Sequence, residues 1–188
     1  MRARLAIYVA DIAIEIREIS LRDKPAHMMQ VSPKGTVPVL VLPNGVVIEQ
    51  SLDIMFWALQ QNDPQNWLDT DFGKLQTLIN ENDTHFKQAL DRYKYPERYP
   101  QLTQTHYRHQ GEVFLRQLET LLEQRIYLLK DTASLADMAI FPFVRQFAAV
   151  DSAWFESSSY PKLQNWLNAL IHSELFERVM KKQPTYIA

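Results

Sequence analysis

The most distinctive pattern in this chain is a pair of short apolar runs, separated by a turn and followed by an amphipathic helix. Residues 37–42 hold three valines and two leucines, which predicts a buried strand. Asn44-Gly45 predicts a two-residue hairpin loop, because both residues accept positive φ angles. Residues 46–49 then predict the returning strand. Ser51 is predicted to be the N-cap of the helix that follows.

The first 31 residues carry a weaker alternation of helix and strand signals. Residues 1–10 show apolar side chains at helical spacing, which predicts a helix. Residues 12–19 alternate isoleucine with charged residues, the period of two that is typical of a strand. A short helix is predicted within residues 21–31, ahead of Ser32-Pro33.

After a polar, proline-containing stretch around residues 62–71, every remaining pattern is helical. We therefore predict an α/β domain over residues 1–62, a linker over 63–70 and an all-α domain over 71–188. The apolar stripes of the helical part share the 3.6-residue period. The first stripe comprises Leu75, Leu78, Ile79, Phe86, Ala89, Leu90 and Tyr93.

A capping box marks the start of one of these helices. Ser134 and Asp137 form a Ser-x-x-Asp pattern, in which the third helical residue returns a hydrogen bond to the N-cap. We expect both residues to be structural. Pro142 follows inside the same helix, where it removes one backbone donor.

Composition excludes several classes of function. The 188-residue chain has a net charge of −2, which does not indicate a nucleic-acid or acidic-membrane binder. The chain has no cysteine, so it can form neither a disulfide nor a cysteine nucleophile of its own.

The sequence shows no signal peptide and no apolar run of membrane-spanning length, so we expect a cytoplasmic protein. No metal site is expected, because the histidines lack metal-ligand pairing. The histidines are His27, His85, His106, His109 and His172.

The order of strand, turn, strand and helix, entered through Val37-Pro38, resembles the second half of a thioredoxin-like domain. The wording PKGTVPVLVLPNGVVIEQSLDIMFWAL is similar to the glutathione S-transferase superfamily, and most of all to its bacterial cysteine-type and glutaredoxin-2-like branches. The capping box also resembles the folding signature of the family's helical domain. The resemblance implies an α/β thioredoxin-like domain followed by an all-α domain, and it spans nearly the whole chain.

The resemblance also implies a glutathione site in the first domain. Val37-Pro38 matches the family's cis-proline motif, in which the residue before proline pairs with the cysteinyl backbone of glutathione. Gln50-Ser51 matches the pair that holds the γ-glutamyl end, and Lys24 stands at the spacing of a lysine that reaches the tripeptide. The alternative is that Lys24 is a solvated charge and Ser51 only a cap.

A second-substrate wall is implied on the first long helix of the all-α domain. Its candidates are Asn82, Asp83, Phe86, Tyr93 and Tyr95. The alternative, equally compatible with the sequence, places the polar groups in a helical interface and the aromatic rings in the core.

The chain departs from the family at its beginning. Cysteine-type relatives carry a Cys-Pro-Tyr-Cys motif and a first strand ahead of a helix that begins like residues 1–7 here. We therefore expect an N-terminally truncated domain with its first strand missing, and we assign no catalytic residue. In-frame Cys-Pro-x-Cys codons upstream of Met1 would instead make Met1 an internal methionine of a normal enzyme.

The implied function is glutathione-dependent thiol transfer or conjugation, inactive or weak in this chain, with glutathione and a small electrophile or disulfide as partners. A non-catalytic binding protein of the same fold is the alternative. Because a missing strand would leave unpaired edges, we expect a homodimer or self-association through the N-terminal domain.

Overall fold

The computed structural model describes residues 1–186 as two compact units. One comprises Met1–Gln65 with the segment that begins at Glu174, and the other comprises Asn66–Ser173. The helices are α1 (Arg2–Val9), α2 (Ala26–Val31), α3 (Ser51–Gln61), α4 (Phe72–Glu81), α5 (Lys87–Lys94), α6 (Gln104–Gln124), α7 (Leu135–Ala148), α8 (Ser152–Ser157), α9 (Pro161–Ile171) and α10 (Glu174–Met180). The strands are β1 (Leu40–Val41) and β2 (Val47–Ile48). A π-helical turn, Asn82–Phe86, joins α4 to α5, and a 3-10 turn, Pro96–Arg98, follows α5.

The contacts divide the chain differently from the boundaries predicted as 1–62, 63–70 and 71–188. Trp67, within the predicted linker, is fully buried, and its carbonyl accepts a hydrogen bond from the Leu135 amide at 3.0 Å. Helix α10, predicted in the second domain, packs against α1 in the first unit. The apolar pattern of α10 predicts which face of the helix is buried, but it does not reveal that this face packs against the first unit. The last two positions of the predicted 71–188 domain lie outside the described residues.

The hairpin forms where the sequence predicts it, with a longer loop. Leu40 pairs with Ile48 and Val41 with Val47, antiparallel. The Leu42 amide donates to the Val46 carbonyl at 2.8 Å, so the loop has three residues and not the predicted two. Only the last of them, Gly45, has a positive φ, 86°. This agrees with a type I turn followed by a left-handed residue.

Two details of the hairpin prediction are wrong. Residues 37–42 are not a buried strand, since Val37 and Val41 are each 50 % exposed. β1 comprises only Leu40–Val41, so Val37 lies outside it, and a two-stranded ribbon is too small to bury its side chains on both faces. Ser51 is the first residue of α3, and the N-cap is Gln50.

The predicted strand over residues 12–19 is also absent. Within the described chain this stretch makes one isolated bridge, at Glu18, and Ile14 and Ile16 are exposed. Alternating side chains produce a strand only where a neighbouring backbone supplies hydrogen bonds along the stretch, and here one residue is paired.

The core of the first unit lies between α1 and its neighbours α3 and α10. Small and branched side chains interdigitate there, and all are nearly inaccessible to solvent. They include Leu5, Ala6, Ile54, Met55 and Ala58. The helices predicted over residues 1–10 and 21–31 are therefore present as α1 and α2.

The core of the second unit is built around an aromatic cluster. The Phe147 ring lies 5.3 Å from that of Phe86 and 4.8 Å from that of Tyr93, while Phe114 lies 5.0 Å from Phe86. Gly111 of α6 faces the same ring, and a methyl group there would lie 2.3 Å from a Phe147 carbon. The absence of a side chain at Gly111 therefore allows α6 and α7 to approach.

Asp137 joins three parts of the second unit. Its Oδ2 accepts hydrogen bonds from the Ser134 amide at 2.9 Å and from the Ser134 hydroxyl at 2.7 Å, within the capping box of α7. Its Oδ1 accepts from the Leu128 amide and from the Trp166 indole, both at 2.9 Å. Burial raises the pKa of this carboxyl, against the opposing effect of the hydrogen bonds that it accepts.

A second buried carboxylate fixes the start of α9. Glu119 of α6 accepts hydrogen bonds from the Lys162 amide at 3.0 Å and the Leu163 amide at 2.7 Å. These are amides of the first turn of α9, which have no carbonyl partner within the helix. The side chain of one helix thus supplies the cap of another, an arrangement that local sequence does not reveal.

We predict that Asp137→Ala strongly destabilises the protein. The substitution leaves four buried donor groups without an acceptor, each at a cost of about 1–3 kcal/mol, so we expect a loss of at least about 4 kcal/mol in the free energy of unfolding. Urea denaturation measures it. Asp71→Ala is the matched control, since Asp71 caps α4 through one exposed bond to the Lys74 amide and its loss costs about 0.5–2 kcal/mol. Equal stabilities of the two variants would contradict the network.

We predict opposite effects for alanine at two glycines. Gly111→Ala forces a methyl group onto the buried Phe147 ring, and we expect destabilisation of about 1–3 kcal/mol, reduced by the ~1 kcal/mol that alanine gains in a helix. Gly73→Ala meets no side chain closer than Asp71 at 3.4 Å and should leave stability unchanged or raised. Thermal melting of both variants tests this pair, and a stabilised Gly111→Ala would refute the close approach.

Candidate functional site

The loop between α2 and β1 is tied to the end of the hairpin by Glu49. The buried Ser32 hydroxyl donates to Glu49 Oε1 at 2.6 Å, and Lys34 Nζ donates to Oε2 at 3.3 Å. The Ser32 hydrogen bond, followed by Lys34, holds the pKa of Glu49 below its usual range. Sequence analysis missed Glu49. The available signal was a carboxylate at the end of a strand, directly before a helix.

Lys24 approaches the same loop. Gly35 has a positive φ of 60°, and a methyl group at this position would lie 3.2 Å from Lys24 Nζ and 3.0 Å from Met29 Sδ. The ammonium group therefore lies directly over the loop backbone. The structure brings Lys24 to the segment that leads into β1.

Val37 and Pro38 follow this loop. The peptide bond between them is cis, and Val37 is 50 % exposed while Pro38 is half-buried. A non-helical segment ahead of a short strand can pair with an extended ligand where its backbone groups are accessible.

Gln50 and Ser51 lie at the N-terminus of α3. Gln50 is exposed, and its carbonyl accepts the first helical hydrogen bond, from Ile54, at 3.0 Å. Ser51 is half-buried, and neither side chain caps the helix. The first amides of α3 therefore lack partners within the helix, and together with the helix dipole they favour a carboxylate. A cation, an exposed backbone and this helix end suit a ligand that combines carboxylates with an amide backbone.

The five candidates for a second-substrate wall have different surroundings in the second unit. Phe86 and Tyr93 are 1 % and 2 % exposed and belong to the aromatic core. Asn82 is buried in the π-helical turn, and its Nδ2 donates to Asp83 Oδ1 at 2.7 Å. Tyr95 is half-exposed, with the Arg98 guanidinium 4.3 Å from its ring centre. The packing of Phe86 and Tyr93 agrees with the core alternative.

Metal-binding clusters and membrane-spanning helices are absent from the described part of the chain. No group of three histidine, cysteine, aspartate or glutamate side chains is placed to hold a metal ion within residues 1–186. No helix in that range is both long and apolar enough to cross a membrane.

Comparison with known proteins agrees with this architecture. The sequence matches the family model described as glutathione S-transferase, N-terminal domain, over residues 1–67, and the one described as glutathione S-transferase, C-terminal domain, over residues 65–169. A search of the curated proteins found no match.

Solved structures of this fold superpose over almost the whole chain. A ternary complex of BphK, a bacterial GST, is 21 % identical, with a TM-score of 0.80 and coverage of 96 % of this chain and 92 % of that one. Gtt2 from Saccharomyces cerevisiae is 18 % identical, with a TM-score of 0.73 and coverage of 95 % and 94 %. A glutathione S-transferase-I bound with lactoylglutathione is 20 % identical, with a TM-score of 0.76 and coverage of 95 % and 91 %.

The fold is therefore a small thioredoxin-like domain with a two-stranded sheet, followed in sequence by an all-helical domain. The chain belongs to the glutathione S-transferase family.

We predict that Glu49 titrates below the usual range of a glutamate and that Ser32→Ala raises its pKa. The substitution removes the hydrogen bond that contributes most to the shift, and Lys34→Gln should raise the pKa of Glu49 as well, because it removes a hydrogen bond and a nearby positive charge. A lowered pKa stabilises the fold above the pKa of the unfolded chain, and this stabilisation is lost as the pH falls through the folded value.

Titration of the Glu49 side-chain carbon by NMR measures the effect. Glu15 serves as the internal control, because its own lowered pKa depends on Arg17 and should not respond to Ser32→Ala. A Glu49 that titrates at its ordinary value in the parent protein would disprove the interpretation.

Proposed function

We propose that the first unit binds glutathione through Lys24, Val37, Pro38, Gln50 and Ser51. The observation that supports this most strongly is that Val37, directly before Pro38 and ahead of β1, is 50 % exposed, in a chain of this family. The two carboxylates of glutathione would pair with the Lys24 ammonium and with the first amides of α3. A solved relative of the same fold is bound with lactoylglutathione, a ligand built on the same tripeptide.

We propose that glutathione-dependent conjugation or thiol transfer is weak or absent in this chain. In conjugation the sulfur of glutathione bonds to an electrophilic carbon, the leaving group departs and the thiol proton is lost to a base. In thiol transfer by cysteine-type enzymes a protein thiolate is the attacking group, and this chain has no cysteine. Binding would therefore persist without the group that performs the chemistry.

We also propose that the chain forms a homodimer. Dimers are typical of this family. Among the described residues, most of the large apolar side chains that are exposed belong to the first unit, and those outside the proposed glutathione contacts can be covered by a second copy. They are Tyr8, Ile14, Ile16, Leu21, Met29, Val31, Val37, Val41, Val46 and Met180. Sedimentation velocity at micromolar concentration tests the dimer, and a monomer in that range would refute it.

We predict that glutathione binds with a measurable heat and that Lys24→Gln weakens its affinity about tenfold, through loss of one charge-assisted contact. Isothermal titration calorimetry measures both affinities. Lys34→Gln is the matched control, since Lys34 pairs with Glu49 and is outside the proposed contacts. No heat from the parent protein would reject the proposal, and equal losses in both lysine variants would reject the role of Lys24.

We predict only a trace of turnover with glutathione and an aryl halide, or with a small disulfide. Positioning alone can leave a small residual rate, but no cysteine is present to raise it. Absorbance assays of the purified chain measure it. Turnover at a rate normal for the family would show that another group activates the thiol. Binding without turnover would agree with a glutathione-binding protein that is not an enzyme.

A further inference from the structure

The segment after α10 returns to the first unit and pairs with its backbone. Thr185 forms a parallel bridge with Glu18, and the Tyr186 amide donates a hydrogen bond to the Glu18 carbonyl at 2.7 Å. Thr185 and Glu18 are 167 positions apart in the sequence. Glu18 lies in the stretch that the isoleucine alternation predicts as a strand. The backbone that pairs with residues 12–19 at Glu18 is therefore that of Thr185, in the segment after α10.

The side chain of Tyr186 adds a second set of contacts. The Arg17 guanidinium lies 4.9 Å from the centre of the Tyr186 ring, and the His27 ring lies edge-on to it at 5.3 Å. Glu15 accepts two hydrogen bonds from Arg17, at 2.9 and 3.0 Å, which orients the guanidinium. Arg17 and His27 both contact the Tyr186 ring, so the first unit binds the side chain of this residue as well as its backbone.

Helix α10 holds this segment close to its binding edge. The Arg178 guanidinium donates to the Tyr8 hydroxyl of α1 and to Glu174, while Arg4 of α1 forms an ion pair with Glu18. Only residues 181–184 connect α10 to the bridge at Thr185, and all are exposed. A short tether of this kind gives an effective concentration on the order of millimolar, so a weak contact is sufficient for docking.

We propose that the backbone edge at Glu18 is a docking site for an extended peptide strand and that residues 182–186 of the same chain are its occupant. The site recognises a strand whose paired residue is followed by an aromatic side chain. The docking segment can detach while α10 stays in place, because within the described residues it is held by a single bridge and the contacts of one ring, and residues 182–185 are exposed. The proposal is independent of glutathione binding.

Trypsin cleavage after Lys181 or Lys182 reports the detached population, because proteolysis of a rapidly opening segment follows the fraction that is open. Tyr186→Pro removes both the amide donor and the ring. Thr185→Pro is the matched control, since it places a proline one residue earlier and keeps the Tyr186 amide. Tyr186→Phe keeps the amide and the ring. Each rate is divided by that of a free peptide with the same sequence, which removes differences in trypsin preference.

We expect Tyr186→Pro to raise the normalised cleavage rate roughly 5- to 30-fold, while Thr185→Pro and Tyr186→Phe stay within about twofold of the parent. Arg17→Gln should raise the rate by a smaller factor, and Arg22→Gln, a change at an exposed arginine nearby, should not. Circular dichroism melting shows whether each variant is folded. Parent and Tyr186→Pro rates within twofold of each other would overturn the proposal.

A concentration series distinguishes the chain's own segment from that of a second copy. If the occupant belongs to the same chain, the normalised rate of the parent is constant from about 1 to 100 µM, whether or not sedimentation detects a dimer. A rate that falls as the dimer forms would show an exchanged segment from the second copy, and it would overturn the assignment of the occupant.

Discussion

The all-helical unit depends on one buried carboxylate. Asp137 accepts hydrogen bonds from the loop at Leu128, from the cap residue Ser134 and from the indole of Trp166 in α9. Burying a carboxylate is costly unless donors surround it, so the three segments stabilise the carboxylate as much as it fixes them. The start of α7, and with it the position of Phe141 and Phe147 in the core, follows from this arrangement.

Sequence reasoning succeeds here wherever the determining contacts are local. The Ser134–Asp137 box, the hairpin turn near Asn44-Gly45 and the helical stripes each depend on residues a few positions apart, and all are present, although the hairpin loop has three residues and not the predicted two. The bonds from Leu128 and Trp166 to Asp137 join residues that are 9 and 29 positions apart, and no periodicity encodes them. The cap that Glu119 supplies to α9 is missed for the same reason.

The failures have a common physical cause, which is that burial and pairing are decided by partners elsewhere in the chain. Isoleucine alternation predicts a strand over residues 12–19, but within the described chain the only β-bridge of this stretch is the one between Glu18 and Thr185. In the candidate site, the order of Val37, Pro38, Gln50 and Ser51 follows from the motif. The hydrogen bond between Ser32 and Glu49 joins residues 17 positions apart, and the sequence does not predict it.

The first unit is assembled from two segments, one before and one after the second unit in the sequence, and this affects the order of folding during synthesis. Asn66–Ser173 is one continuous stretch, so the ribosome delivers it whole before α10 exists. At about 5–20 residues per second, roughly 10–30 s pass between the synthesis of α1 and that of α10. Translation therefore favours completion of the second unit before the first, the reverse of the usual N-to-C order. During that interval the part of α1 that packs against α10 is open to a chaperone or to another nascent chain.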